Sequence, residues 1–166
     1  MGTWSRVLRR EAGRSARVAV IGVGNMARGD DAAGALVARA LLAGRASLPK
    51  KALVVDAGEV PENFTGVVRA FSPDLAVVID AARGGRPPGT VFLIDPADIA
   101  DEDLSTHRIP LPRLARYIRE TMDCRVLLVG IEPASLERGA EGNVSPDVGR
   151  AVRRIAEVML RAIGAE

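Results

Sequence analysis

Three apolar runs constrain this 166-residue chain more than any other feature. They are Val18–Ile21 within a strand from Arg17 to Val23, ALVVD at Ala52–Asp56, and LAVVIDA at Leu75–Ala81. Each is continuous rather than alternating, the pattern of a strand buried on both faces. Between the first two, Asp30 to about Leu42 carries Ala33, Leu36, Val37, Ala40 and Leu41 at helical spacing, with Gly44 as a stop. Between the second and third, Pro61-Glu62-Asn63 opens a helix to about Phe71, because proline suits a first turn, and Ser72-Pro73-Asp74 ends it. Strand, helix, strand, helix, strand predicts a parallel sheet with right-handed crossovers.

The next connection, Arg83 to Gly89, holds no helix and is too short for a crossover, so Thr90–Ile94 is expected to run antiparallel to the third strand. Residues 96–107 are acidic and irregular. Leu111 to about Thr121 reads as a helix with Leu111, Leu114 and Ile118 on one side, and Arg125–Ile131 as the fifth strand. Ser145-Pro146 is a helix start, serine as N-cap and proline as first residue. From there Val148, Val152, Ile155, Val158, Met159 and Ile163 form an apolar stripe. The expected architecture is a three-layer α/β sandwich: a twisted five-stranded, mostly parallel sheet with one antiparallel strand and helices on both faces. It occupies a single domain over 17–166, preceded by a basic extension over 1–16.

Composition narrows the function. With 48% hydrophobic residues and 3% aromatics, the chain can bury a sizeable, aliphatic core. No apolar run approaches the ~20 residues of a membrane helix, and the first residues lack the apolar stretch of a secretory signal. The single cysteine, Cys124, excludes an internal disulfide and fits the cytoplasm; it precedes the fifth strand, at the amino edge of the sheet, and reads as structural. Arg6, Arg9, Arg10, Arg14 and Arg17 crowd the start, which reads as a solvated, frayed tail. No aromatics are interleaved to stack on bases, so nucleic acid is set aside. A monomer is the default.

In open α/β sheets, sites gather beyond the carboxyl ends of the parallel strands. Asn25, Asp30 and Asp31 follow the first strand, Asp56 ends the second and Asp80 stands near the end of the third. One aspartate there is often a turn former; several point to a site. His107 is the sole histidine, in the long loop after the antiparallel strand. Twelve extended residues span ~40 Å, enough to carry it back to the carboxyl edge. If it returns, Asp31, Asp80 and His107 form a carboxylate, carboxylate, imidazole set suited to nickel or zinc with open positions. The rival reading is a dinucleotide-binding module, since Gly22-Val23-Gly24-Asn25-Met26-Ala27 fits G-x-G-x-x-A and Asp56 ends the second strand. Against it, Asp30 and Asp31 stand where a pyrophosphate needs donors and positive potential.

Taken in order, Gly22-Val-Gly-Asn25, Asp30-Asp31 and Gly34, Asp56-Ala-Gly58 with Pro61-Glu62-Asn63, and Asp80 with Pro88-Gly89 and Ile94-Asp95-Pro96 resemble the [NiFe]-hydrogenase maturation endopeptidases. So do Ser105-Thr106-His107 with Ile109-Pro110-Leu111, Gly130-Ile131-Glu132-Pro133 and Asn143-Val144-Ser145-Pro146. The likeness runs from about Val18 to Ile163 and is greatest to the subgroup that processes the hydrogenase 3 large subunit. The glycine usual after the acidic pair is Ala32 here. The resemblance implies an aspartic-type endopeptidase that removes a C-terminal extension from a [NiFe]-hydrogenase large-subunit precursor after nickel insertion. It assigns Asp31, Asp80 and His107 as the catalytic, metal-contacting residues. The nickel comes with the substrate, and no permanently bound cofactor is expected. A non-catalytic maturation scaffold or metallochaperone is the other alternative.

Overall fold

A computed structural model describes residues 2–45, 48–95 and 110–164. Strands β1 (Val18–Val23), β2 (Ala52–Gly58), β3 (Leu75–Ala81), β4 (Val91–Ile94) and β5 (Arg125–Ile131) form one sheet in the order β2-β1-β3-β5-β4. The β1–β2, β1–β3 and β3–β5 pairs are parallel, and β4 runs antiparallel to β5. Every residue of β1 and β3 is buried, as their unbroken apolar runs require of central strands. Helices α1 (Thr3–Gly13), α2 (Ala33–Ala43) and α5 (Pro146–Gly164) cover one face, packing Leu8, Val37 and Ile155 onto Val20, Val77 and Ile79. Helices α3 (Thr65–Phe71) and α4 (Leu111–Met122) cover the other, over Ile21, Val78 and Leu128. The expected three-layer sandwich is what the chain forms.

Two local features differ from the sequence reading. The helix expected from Asp30 begins as a 3-10 turn, Gly29–Ala32, before α2, and the one from Pro61 begins as a 3-10 turn, Pro61–Phe64, before α3. Strand β4 has the expected direction, but its neighbour is β5 rather than β3. The loop before it steps over the end of β5: Ala82 N–H donates to Ile131 O, Gly89 N–H to Glu132 O, and Glu132 N–H to Thr90 O. Gly89 makes the turn at φ +79°, and a Cβ there would meet Asp147 O at 2.6 Å.

The N-terminal arginines do not form a frayed tail; residues 3–13 are helix α1. Trp4, Leu8 and Ala12 fall four residues apart and are buried against α5, joining the same core as β1 and β3. Buried Glu11 anchors the helix. It accepts from Arg10 at 3.0 Å and from Arg14 at 2.7 Å, and pairs with Arg125 at the start of β5. The next turn is held by Asp74, which accepts from Ala16 N–H at 3.0 Å and Arg17 N–H at 2.8 Å.

These contacts set an acid limit on stability. Burial raises the Glu11 pKa, but the Arg10 and Arg14 hydrogen bonds and the Arg14 and Arg125 charges outweigh it and hold the carboxyl below 4.5. Burial likewise raises Asp74, but the Arg17 and Ala16 amides carry it below 3.8. A carboxyl depressed by folding contributes stability above its ordinary value and loses it as pH falls through the folded value. Thermal melts from neutral to acid pH should therefore show stability falling below the ordinary carboxylate range. Glu11→Gln should lower the neutral-pH melting point and flatten that fall; an unchanged profile would exclude Glu11 as a contributor.

Candidate active site at the carboxyl edge

The site is built by close packing of backbone. Gly22 and Gly34 let α2 lie directly on the sheet: a Cβ on Gly22 would stand 2.2 Å from Gly34 O, and one on Gly34 would stand 2.1 Å from Ile79 O and 2.3 Å from Val23 O. A Cβ on Gly24 would meet Asp31 O at 2.4 Å. The glycines that resemble a phosphate loop thus serve helix-to-strand contact. The 3-10 turn touches β3, and the start of α2 touches the carbonyl next to Asp80. Asp31 and Asp80 are each 0% exposed at this edge.

The two adjacent acids have different tasks. Asp30 accepts four hydrogen bonds: Oδ2 from Ala134 N–H (2.8 Å), Ser135 N–H (3.1 Å) and the Ser145 hydroxyl (3.0 Å), and Oδ1 from Ser145 N–H (2.7 Å). Its own N–H donates to Ser135 O at 2.9 Å. Asp30 therefore ties the loop after β5, and the start of α5, to the turn that carries Asp31. Asp30→Ala leaves four part-buried donors, three amides and the Ser145 hydroxyl, without their acceptor. It should lower stability by about 2–4 kcal/mol, at 1–3 kcal/mol for each donor and less than additively. Faster hydrogen exchange at Ala134, Ser135 and Ser145 checks this, and unchanged protection there would contradict it.

The flanking polar residues tie loops. Asn25 donates to Glu59 at 2.9 Å and accepts from Ala27 N–H at 2.9 Å. Asp56 pairs with Arg39 of α2 at 2.8 Å and accepts from Gly58 N–H at 3.3 Å. Glu132, which sequence reasoning did not single out beyond its place in a motif, is buried and accepts from Gly84 N–H at 2.7 Å, fixing the loop after Asp80. Its only signal was a carboxylate just past a buried strand. His107 lies outside the described residues. Among the described residues no three His, Cys, Asp or Glu side chains group to hold a metal ion. Cys124 is buried and free, its thiol pushed up by burial and then by the Asp123 and Asp74 charges.

The glycine turn is filled by its own helix and leaves no dinucleotide cradle, and two buried carboxylates, Asp31 and Asp80, stand at the carboxyl edge beside it. Comparison with known proteins gives the family. The hydrogenase maturation protease family, of HycI type, matches residues 37–162. The hydrogenase 3 maturation protease of Escherichia coli K12 is 37% identical over 113 residues, 67% of this chain and 69% of that protein. A putative hydrogenase maturation protease of Methanocaldococcus jannaschii is 27% identical over 126 residues, 73% of this chain and 75% of that protein. The crystal structure of a [NiFe] hydrogenase maturation protease, HycI, from Thermococcus kodakarensis KOD1 superposes with a TM-score of 0.81 at 34% identity, covering 95% of this chain and 98% of that one. The chain belongs to the hydrogenase maturation protease family and is a hydrolase of peptide bonds. Among the described residues no helix is long and apolar enough to cross a membrane.

Proposed function

We propose that the protein removes the C-terminal extension of a [NiFe]-hydrogenase large-subunit precursor once nickel has been inserted. The observation that carries this is the pair of fully buried carboxylates, Asp31 and Asp80, packed at one sheet edge of a chain in this family. Nickel arrives as part of the substrate, held by the precursor. Asp31, Asp80 and His107 contact it, and that contact seats the scissile bond. Carboxylate and imidazole donors with no thiolate of their own suit a borderline divalent ion already held by another protein.

One carboxylate of the pair then serves as general base, taking a proton from the water that attacks the scissile carbonyl; the proton passes to the leaving amine. Burial helps, because a carboxylate out of bulk water interacts more strongly with charge developing beside it. Asp30, Asn25, Asp56 and Glu132 hold the surrounding loops through the hydrogen bonds described above. The lone buried thiol fits a reducing compartment, and we place the reaction in the cytoplasm. Incubating the purified protein with the precursor and weighing the products by mass spectrometry tests the proposal. A single C-terminal peptide released is the expected result. A precursor that binds but stays whole would make the protein a scaffold.

A further inference from the structure

The flank between α3 and α4 holds a half-buried acid, Glu62, that the carboxylate pair does not use. The 3-10 turn Pro61–Phe64 follows the carboxyl end of β2. Helix α4 leads into β5, which is parallel to β3, so the start of α4 lies toward the carboxyl edge. A cavity of about 350 Å³ opens between them, lined by Glu62, Thr65, Arg113, Leu114 and Tyr117. It lies on the same face as Asp80. Ile79 and Ala81 point into the core under α5, and Ala76, Val78 and Ala82 into the core under α4, so alternation along the strand puts Asp80 with the latter.

The Oε2 atom of Glu62 is wholly buried and has no hydrogen-bond partner among the described residues. A buried carboxyl oxygen without a donor bears its full desolvation cost, and native structures keep few such groups. The two large apolar side chains left exposed among the described residues, Val67 and Tyr117, belong to these same two helices. Charge limits what can enter. Arg113 lines the cavity, and Arg69 donates to the Tyr117 hydroxyl at 2.8 Å, so this is not an acidic hole that draws any cation. It offers one acceptor beside an apolar wall of Leu114 and the Tyr117 ring.

We propose that this cavity receives a side chain of the polypeptide being processed, one with an N–H donor at the end of an apolar stem, and that Glu62 accepts from that donor. Glu62 is thereby a specificity-determining residue. The inference rests on the endopeptidase reading, and its test separates the two.

The full-length protein and its Glu62→Leu and Glu62→Gln variants are assayed on the nickel-loaded precursor and on precursors in which each donor-bearing residue flanking the scissile bond is changed in turn to methionine. Cleavage gives kcat and KM, and titration gives Kd independently of cleavage. Glu62→Leu should lower kcat/KM by about 10- to 100-fold, chiefly through KM, as loss of a hydrogen bond to a charged group predicts. One precursor variant should show the same loss with the wild-type protein, and combining the two changes should cost nothing more. Should the leucine variant fail to fold, the near-isosteric glutamine variant carries the same cycle. Normal processing by both variants, or losses that multiply at every precursor position, overturns the role of Glu62 and leaves the endopeptidase standing. Uncleaved precursor whose Kd still shows the coupled loss overturns the endopeptidase and leaves Glu62 as a recognition residue.

Discussion

Asp80→Asn should abolish processing of the precursor, by at least about 1,000-fold, while the protein stays folded and still binds its substrate. The size follows from what the substitution removes. An amide cannot take the proton of the attacking water, and loss of a general base alone costs about 100- to 10,000-fold. It also cannot balance the charge of a divalent ion as a carboxylate does. Asp31→Asn should behave in the same way, and so should His107→Ala. The fold should survive because asparagine fills the same volume near the end of β3, where the register with β5 sets residue 80 opposite Gly130. Circular dichroism, a thermal melt and a time course of precursor cleavage check this together. Full activity in Asp80→Asn would remove that carboxylate from the mechanism. Loss of fold in His107→Ala would make the histidine structural.

The second large effect is on stability. Gly34→Ala should destabilise the protein by about 3 kcal/mol or more, beyond the usual 1–3 kcal/mol of overpacking, because both obstacles are backbone. The added Cβ would lie 2.1 Å from Ile79 O and 2.3 Å from Val23 O, and neither carbonyl can rotate away without breaking the centre of the sheet. For a chain of this size the melting point should drop by about 6–12 °C. Activity should fall with it, since α2 would be pushed off β1 and β3 and the turn bearing Asp31 would move with the helix. A melting point within about a degree of wild type would show that the helix shifts freely, against the close packing described above.

Much of this architecture was legible in the sequence for a simple reason. β1 and β3 lie at the centre of the sheet, and their apolar runs read directly as strands buried on both faces; the same reading of β2 missed that it is an edge strand, half-buried over most of its length. Helix α1 was misread because its arginines dominate the eye. The Trp4, Leu8, Ala12 stripe was present, but its burial depends on α5, which arrives at the other end of the chain. The partner of β4 was hidden for a similar reason. The strand that inserts beside it, β5, comes only after α4, and nothing local to Thr90–Ile94 announces it.

The acidic pair shows the same limit at the site. Asp30 and Asp31 are chemically identical neighbours in the sequence. What separates them is that Ala134, Ser135 and Ser145 come back to saturate Asp30, while Asp31 is carried beneath the start of α2 beside β3. Glu62 was named only as part of a helix start and of a family motif, with no role of its own, because its surroundings are complete only when α4 packs beside it.

The most direct test of the account is mass spectrometry of the cognate large-subunit precursor incubated with this protein, with and without nickel loading. Release of one defined C-terminal peptide from the nickel-loaded precursor alone is the predicted result, since contact with the ion is what seats the scissile bond. Equal release from the nickel-free precursor would contradict that contact, and an intact nickel-loaded precursor would contradict the peptidase itself.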